Sequence, residues 1–192
     1  MRRFIVYSKN ASTSPIIRDL KSAGRIDVLL HSIISALFCS NTFRNDVELH
    51  LILMGPPSSP RHITIKYDVD NTISKKNLKK LIEIALKKAR KNEVRKVHPG
   101  VFVDDKNIVE IVEGIQEETK NIYLLDTFGE HIFNINKQKD FENPVFILGD
   151  HEGLDKQIKK YLKKNVKRLS LGSKIYFTSQ SITILNYELD NL

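Results

Sequence analysis

The sequence predicts an α/β fold with a mixed, mainly parallel sheet, and three observations carry that prediction. Val145-Phe146-Ile147-Leu148 is an unbroken apolar run between Pro144 and Gly149, which suits a strand buried on both faces, as in a parallel sheet. Asn121-Ile122-Tyr123-Leu124-Leu125 is a second such run, and it also ends in a glycine-containing loop, Asp126-Thr127-Phe128-Gly129. Ile26, Leu29, Leu30, Ile33, Ile34, Leu37 and Phe38 recur at helical spacing and mark an amphipathic helix of the kind that covers such a sheet.

The chain has 192 residues and is read as one domain, residues 1–192, long enough to bury roughly 70% of its unfolded surface. A single cysteine, Cys39, excludes an internal disulfide, reads as a small core residue and fits a reducing compartment. No apolar stretch approaches the ~20 residues needed to span a bilayer, so the expected location is the cytoplasm with no membrane partner. Lysine and arginine total 31 against 23 acidic residues, a formal charge of +8. That balance suits a polyanionic partner such as nucleic acid, and equally suits a surface merely solvated by lysine.

Taken in order, Phe4 to Tyr7 reads as a first strand and Ser8 to Pro15 as an exposed loop. Gly24-Arg25-Ile26-Asp27 opens the first helix, with Asp27 in the turn where a carboxylate suits the helix dipole and His31 expected to be partly buried. Val47 to Met54 is the next strand, followed by a stiff proline-rich loop and an alternating strand, Ile63 to Tyr67, expected to lie antiparallel to its neighbour. Ser74 is the expected cap of a second helix that buries Leu78, Leu81, Ile82, Ala85, Leu86 and Ala89 and turns a lysine-rich face outward. His98-Pro99-Gly100 reads as a turn before the strand Val101 to Val103, and Ile108 to Val112 reads equally as helix or strand. After Val145 to Leu148, the loop Gly149-Asp150-His151-Glu152-Gly153 leads to Leu154, Ile158, Tyr161 and Leu162 at helical spacing, with Lys156, Lys159, Lys160, Lys163 and Lys164 opposite. Val166 to Leu171 is a last short strand, ending at Gly172. In open α/β sheets ligands bind at carboxyl ends of strands, and the loops after Leu125, Leu148 and Leu171 are three such ends; they also read as ordinary βα connections.

Several chemistries are excluded by what the sequence lacks. It has neither a G-x-x-x-x-G-K-[ST] phosphate loop nor a G-x-G-x-x-G fingerprint after a strand, and no G-x-S-x-G elbow. Its histidines are scattered without metal-ligand spacing, so no metal site is expected.

FILGDHEGL, RLSLGS and SITILNYELD, with AGRIDVLLHSI, RNDVELHLILMGPP, HPGVFV and KNIYLL before them, resemble the archaeal tRNA pseudouridine N1-methyltransferases of the SPOUT superfamily. The likeness runs from Phe4 to about Asp190 and is weakest from Lys66 to Val97. It implies a SPOUT-type, mainly parallel sheet flanked by helices, with a C-terminal trefoil knot. It implies that S-adenosylmethionine is held by Leu125, by Leu148 and Gly149, by Leu171, Gly172, Ser173, Lys174, Ile175 and Tyr176, and by Ser181. Many relatives carry proline in the third loop and cysteine at the position of Ser181. It also implies that Ile182 to Leu185, despite strand propensity, belongs to a last helix with Leu189 on the same face. At Gly149 a side chain is expected to crowd the cofactor while the fold survives.

The family likeness turns Arg25 and Asp27 toward the target base as the expected catalytic residues; taken alone they read as a helix-start carboxylate beside a surface arginine. The implied reaction is methylation of N1 of pseudouridine at position 54 of tRNA by a homodimer whose interface includes the last helix and the segment from Leu154 to Leu162. The lysine faces of the second helix and of the helix carrying Lys159 to Lys164 are expected to hold the RNA. Alternatives are a ribosomal RNA pseudouridine N1-methyltransferase of the same superfamily and a non-catalytic RNA-binding module.

Overall fold

The computed structural model describes residues 1–40, 42–70 and 73–192. The elements follow in the order β1 (Arg2–Ser8), α1 (Ile26–Leu37), β2 (Val47–Leu53), β3 (Arg61–Lys66), α2 (Leu78–Lys88), β4 (Arg95–His98), β5 (Val101–Asp104), α3 (Ile108–Gln116), β6 (Ile122–His131), α4 (Lys137–Asp140), β7 (Val145–Gly149), α5 (Lys156–Asn165), β8 (Lys167–Ser170) and α6 (Thr178–Asp190). Among the described residues, eight strands make one sheet in the order β4-β5-β3-β2-β1-β7-β6-β8. The pairs β2/β1, β1/β7, β7/β6 and β6/β8 are parallel, whereas β2/β3, β3/β5 and β5/β4 are antiparallel. The α/β, mainly parallel reading holds, with an antiparallel extension on one side.

Strand pleating sorts the core into two layers. Phe4 and Val6 point to the layer shared with α1, α2 and α6, while Ile5 and Tyr7 point to the layer shared with α3 and α5. The two lysine-rich helices therefore lie on opposite faces of the sheet. Charge pattern does not encode which face a crossover places a helix on.

Several local expectations are settled by hydrogen bonding. The segment from Ile108 is helix: the Asn107 side chain accepts from Val109 N at 2.9 Å and Glu110 N at 3.2 Å, and Glu110 accepts from Asn107 N at 2.8 Å. The last segment is also helix, since Ile182 and Leu185 are buried and Asn186 donates to the Ser35 carbonyl of α1 at 3.0 Å. Ser74 does not cap α2; the helix starts later, at Leu78, and Ser74 N donates to the Asn77 side chain at 2.8 Å. Arg95–His98 forms β4 against β5, so His98, read as the start of a turn, ends a strand. The strand beginning at Ile122 does not end at Asp126. It continues to His131, and Leu169 of β8 pairs with both Leu125 and Glu130, so residues 126–129 bulge out of a continuous strand.

Two of the scattered histidines meet in the antiparallel half. His50 on β2 and His62 on β3 join ring nitrogen to ring nitrogen at 2.9 Å, and His62 Nδ1 lies 2.9 Å from Asp104 Oδ1. Burial holds the His50 pKa below the ordinary imidazole value, against the opposing pull of Glu48. No group of three or more metal-ligating side chains occurs among the described residues. Among them, too, no helix is long and apolar enough to cross a membrane.

Candidate functional site

The carboxyl ends of β7 and β8, with the bulge of β6, surround a cavity of about 560 Å³, inside the ~300–1,000 Å³ range of small-molecule sites. Leu125, Leu148, Leu169 and Leu171 give it an apolar lining. The amino-terminal turns of α1 and α6 close the other side, through Arg25, Asp27, Val28 and His31 and through Thr178, Ser179 and Ser181. His31 is exposed on this wall rather than partly buried, because it falls on the face of α1 turned from the sheet.

Backbone geometry shapes the two carboxyl-end loops. A Cβ at Gly149 would lie 2.6 Å from Gly153 Cα, so glycine is required by its own turn, and the expectation that Gly149→Val spares the fold is corrected. The Gly149 carbonyl accepts from Thr178 Oγ1 at 2.8 Å, which ties the start of α6 to the end of β7. Gly172 has φ of 113°, a conformation closed to other residues, and its N–H donates to Ser170 Oγ at 3.1 Å.

Arg25 is the residue just before α1, with φ of 62° and ψ of 44°. Left-handed backbone is costly for a side chain with a Cβ, and such strain concentrates at functional sites. Its guanidinium donates through Nε to Asp27 Oδ1 at 3.0 Å and through Nη2 to Asp27 Oδ2 at 2.9 Å. This two-pronged pair holds the Asp27 carboxyl below the usual carboxylate range and raises the Arg25 pKa, so both stay charged at neutral pH.

Two further carboxylates face the cavity. The Asp126 side chain is only 2% exposed, and burial opposes its ionisation. The Lys163 ammonium from α5 at 2.8 Å, joined by the Phe128 N–H and by Lys159, outweighs that cost and holds its pKa below the ordinary value. Asp150 accepts from Ser8 Oγ at 2.6 Å and from Glu152 N at 2.9 Å, which seats the β7 loop on the end of β1.

Of the residues named from sequence, Arg25, Asp27, Leu125, Leu148, Gly149, Leu171, Gly172, Lys174, Ile175, Tyr176 and Ser181 line this one cavity; Ser173 does not. Asp126, Asp150, His31, His151 and Thr178 also line it and were not named as site residues. Asp126 and Asp150 each directly follow a residue that was, Leu125 and Gly149, and that adjacency was the available signal. The residues fit an adenosyl cofactor in kind: leucines for an apolar base, glycine backbone for its edge, and carboxylates for the ammonium group of its amino acid end.

The whole chain, residues 1–192, matches the family described as "Putative SAM-dependent RNA methyltransferase". It is 30% identical to the tRNA (pseudouridine(54)-N(1))-methyltransferase of Thermococcus kodakarensis, covering 100% of both chains. It is 34% identical to the enzyme of the same name from Methanocaldococcus jannaschii, covering 99% of this chain and 97% of that one. Its fold is similar to the crystal structure of Archaeoglobus fulgidus Nep1 bound to S-adenosylhomocysteine, with a TM-score of 0.66 at 13% identity over 99% of this chain and 97% of that one. The chain therefore belongs to the family of S-adenosylmethionine-dependent RNA methyltransferases that includes the archaeal tRNA (pseudouridine(54)-N(1))-methyltransferases.

Proposed function

We propose that this chain, acting as one unit over residues 1–192, transfers the methyl group of S-adenosylmethionine to N1 of pseudouridine 54 in tRNA in the cytoplasm. The observation that carries the reading is the Arg25–Asp27 pair opening onto the same cavity as the Leu148–Gly149 and Leu171–Tyr176 loops. When bound, the cofactor supplies an electrophilic methyl on a sulfonium. As the new N1–carbon bond forms and the sulfur–carbon bond breaks, the N1 proton must leave. Asp27, kept ionised by Arg25, is the acceptor for that N–H, and the Arg25 guanidinium balances charge on a flanking carbonyl oxygen or a phosphate. Uridine offers a carbon where pseudouridine offers N1–H, so a site built around that donor rejects it.

We further propose that the segment after β8 is threaded as a trefoil knot, and that two copies pair across the cavity rim. Support for pairing comes from exposed apolar side chains there: Ile175 is 90% exposed and Phe177 74%, and Phe128 in the neighbouring bulge is 81% exposed. The test is nucleoside analysis after incubation with S-adenosylmethionine and tRNA bearing either pseudouridine or uridine at position 54, with a ribosomal RNA fragment alongside. N1-methylpseudouridine in the first RNA alone is expected. Methylation of the ribosomal fragment and not of the tRNA overturns the substrate; no methylation of any RNA, with S-adenosylmethionine bound or unbound, overturns the activity.

A further inference from the structure

We infer that the exposed face of α2, continued by the loop before α1, is a phosphate-binding track that holds tRNA outside the stem-loop carrying the target nucleotide. The inference rests on the tRNA reading above and adds where the rest of that RNA lies.

Lys76, Lys80 and Lys87 are exposed along α2 and its approach, and among the described residues none of them has a carboxylate at ion-pair distance. The one acidic side chain on α2, Glu83, is already engaged: it accepts from Ile17 N at 3.2 Å and meets Lys79 Nζ at 3.5 Å. That same contact docks the loop before α1 onto α2. The loop is closed by Ser12 N donating to the Ala23 carbonyl at 3.0 Å and is pinned by Ile17, which is 1% exposed. Between the pins, Arg18 and Lys21 are exposed, and the loop ends at Arg25 in the cavity. Exposed cations thus run from α2 along the loop, where Asp19 lies beside Lys21, to Arg25, itself paired with Asp27, on the sheet face that α1 and α2 share.

The span sets the class of ligand. α2 packs on β5 and β4, and the cavity begins at β7, four places along the sheet from β5. At about 4.8 Å per strand that is roughly 19 Å, beyond a single nucleotide and within the reach of a folded RNA. α5 carries five lysines to the four of α2 but lies on the opposite face and commits Lys163 to Asp126. The track therefore uses α2 and not α5.

The experiment compares three multiple variants with the unaltered protein: Lys76→Ala/Lys80→Ala/Lys87→Ala on α2, Arg18→Ala/Lys21→Ala on the loop, and Lys156→Ala/Lys160→Ala/Lys164→Ala on α5. Affinity is measured against salt concentration for whole tRNA and for its isolated stem-loop containing pseudouridine 54. The α2 variant is expected to bind whole tRNA roughly tenfold or more weakly and to lower the salt slope by about two, at ~0.7–0.9 per lost phosphate contact. Its affinity for the stem-loop is expected to stay level. The loop variant should show a smaller loss in the same direction, and the α5 variant should match the unaltered protein on both RNAs. An equal loss in the α5 variant would mean that only net charge matters, and an unchanged α2 variant would mean that its lysines are merely solvated; either overturns the track. If the unaltered protein binds neither RNA, the tRNA reading falls and takes the track with it, whereas methylation of both RNAs with normal tRNA binding by the α2 variant sinks the track alone.

Discussion

The two halves of the sheet differ in how they use their edges. In the parallel half, β1, β7, β6 and β8 all end on one side, so consecutive loops converge there and enclose the cavity. In the antiparallel half, β2, β3, β5 and β4 alternate in direction, so their loops divide between both sides. That half buries a His50–His62–Asp104 chain and carries a basic helix on one face instead.

The sharpest way to break this division is to disable the parallel half without unfolding it. Asp27→Ala is expected to slow methyl transfer by about 10²- to 10⁴-fold in single-turnover assays, the range of a positioned acid or base, with S-adenosylhomocysteine affinity retained. Near-normal turnover would remove Asp27 from the reaction. Arg25→Gly should behave differently: glycine relieves the left-handed backbone, so the melting temperature should not fall, while KM for tRNA rises. A melting temperature well below that of the unaltered protein would show that the guanidinium is structural.

Gly149→Val probes packing in the same half. With a Cβ only 2.6 Å from Gly153, it should cost on the order of 1–3 kcal/mol or more in denaturant unfolding and loosen the cavity only as a consequence. A stable variant with weakened cofactor binding would instead favour direct crowding of the ligand.

The two lysine-rich helices offer a matched pair. Lys163→Met leaves the nearly buried Asp126 without its closest cation and should cost about 1–3 kcal/mol at neutral pH, less on acidification as Asp126 takes up a proton. Lys80→Met on α2 should change stability by no more than about 0.5 kcal/mol. Equal effects would erase the distinction between α5 and α2.

A pH-dependent effect is expected in the antiparallel half. His50 has a depressed pKa in the folded chain, so the unfolded chain binds its proton first. Its contribution is present above the ordinary imidazole value and is lost as pH falls through it, with a slope of at most about 1.4 kcal/mol per pH unit for one proton. Unfolding measured between pH 7.5 and 5.5 should show this slope, and His50→Gln should flatten it. The depressed carboxyls of Asp27 and Asp104 add losses only at more acidic pH.

The sequence by itself determined the element types wherever periodicity was long or buried on both faces. Val145–Leu148 had to be an interior strand, and α1 and α2 were legible from apolar spacing, since burial of a stripe or a run depends on local order alone. Ile108–Gln116 was undecided from its apolar residues, yet its Asn107–Glu110 capping pair was local and readable. The tertiary structure alone decided which sheet face each helix covers, because crossovers and not composition separate α2 from α5. It alone brought Asp126 to Lys163 and His50 to His62, contacts across different elements. It also decided why Gly149 is glycine: its nearest neighbour is Gly153, and that distance follows from how the turn folds back on its own strand.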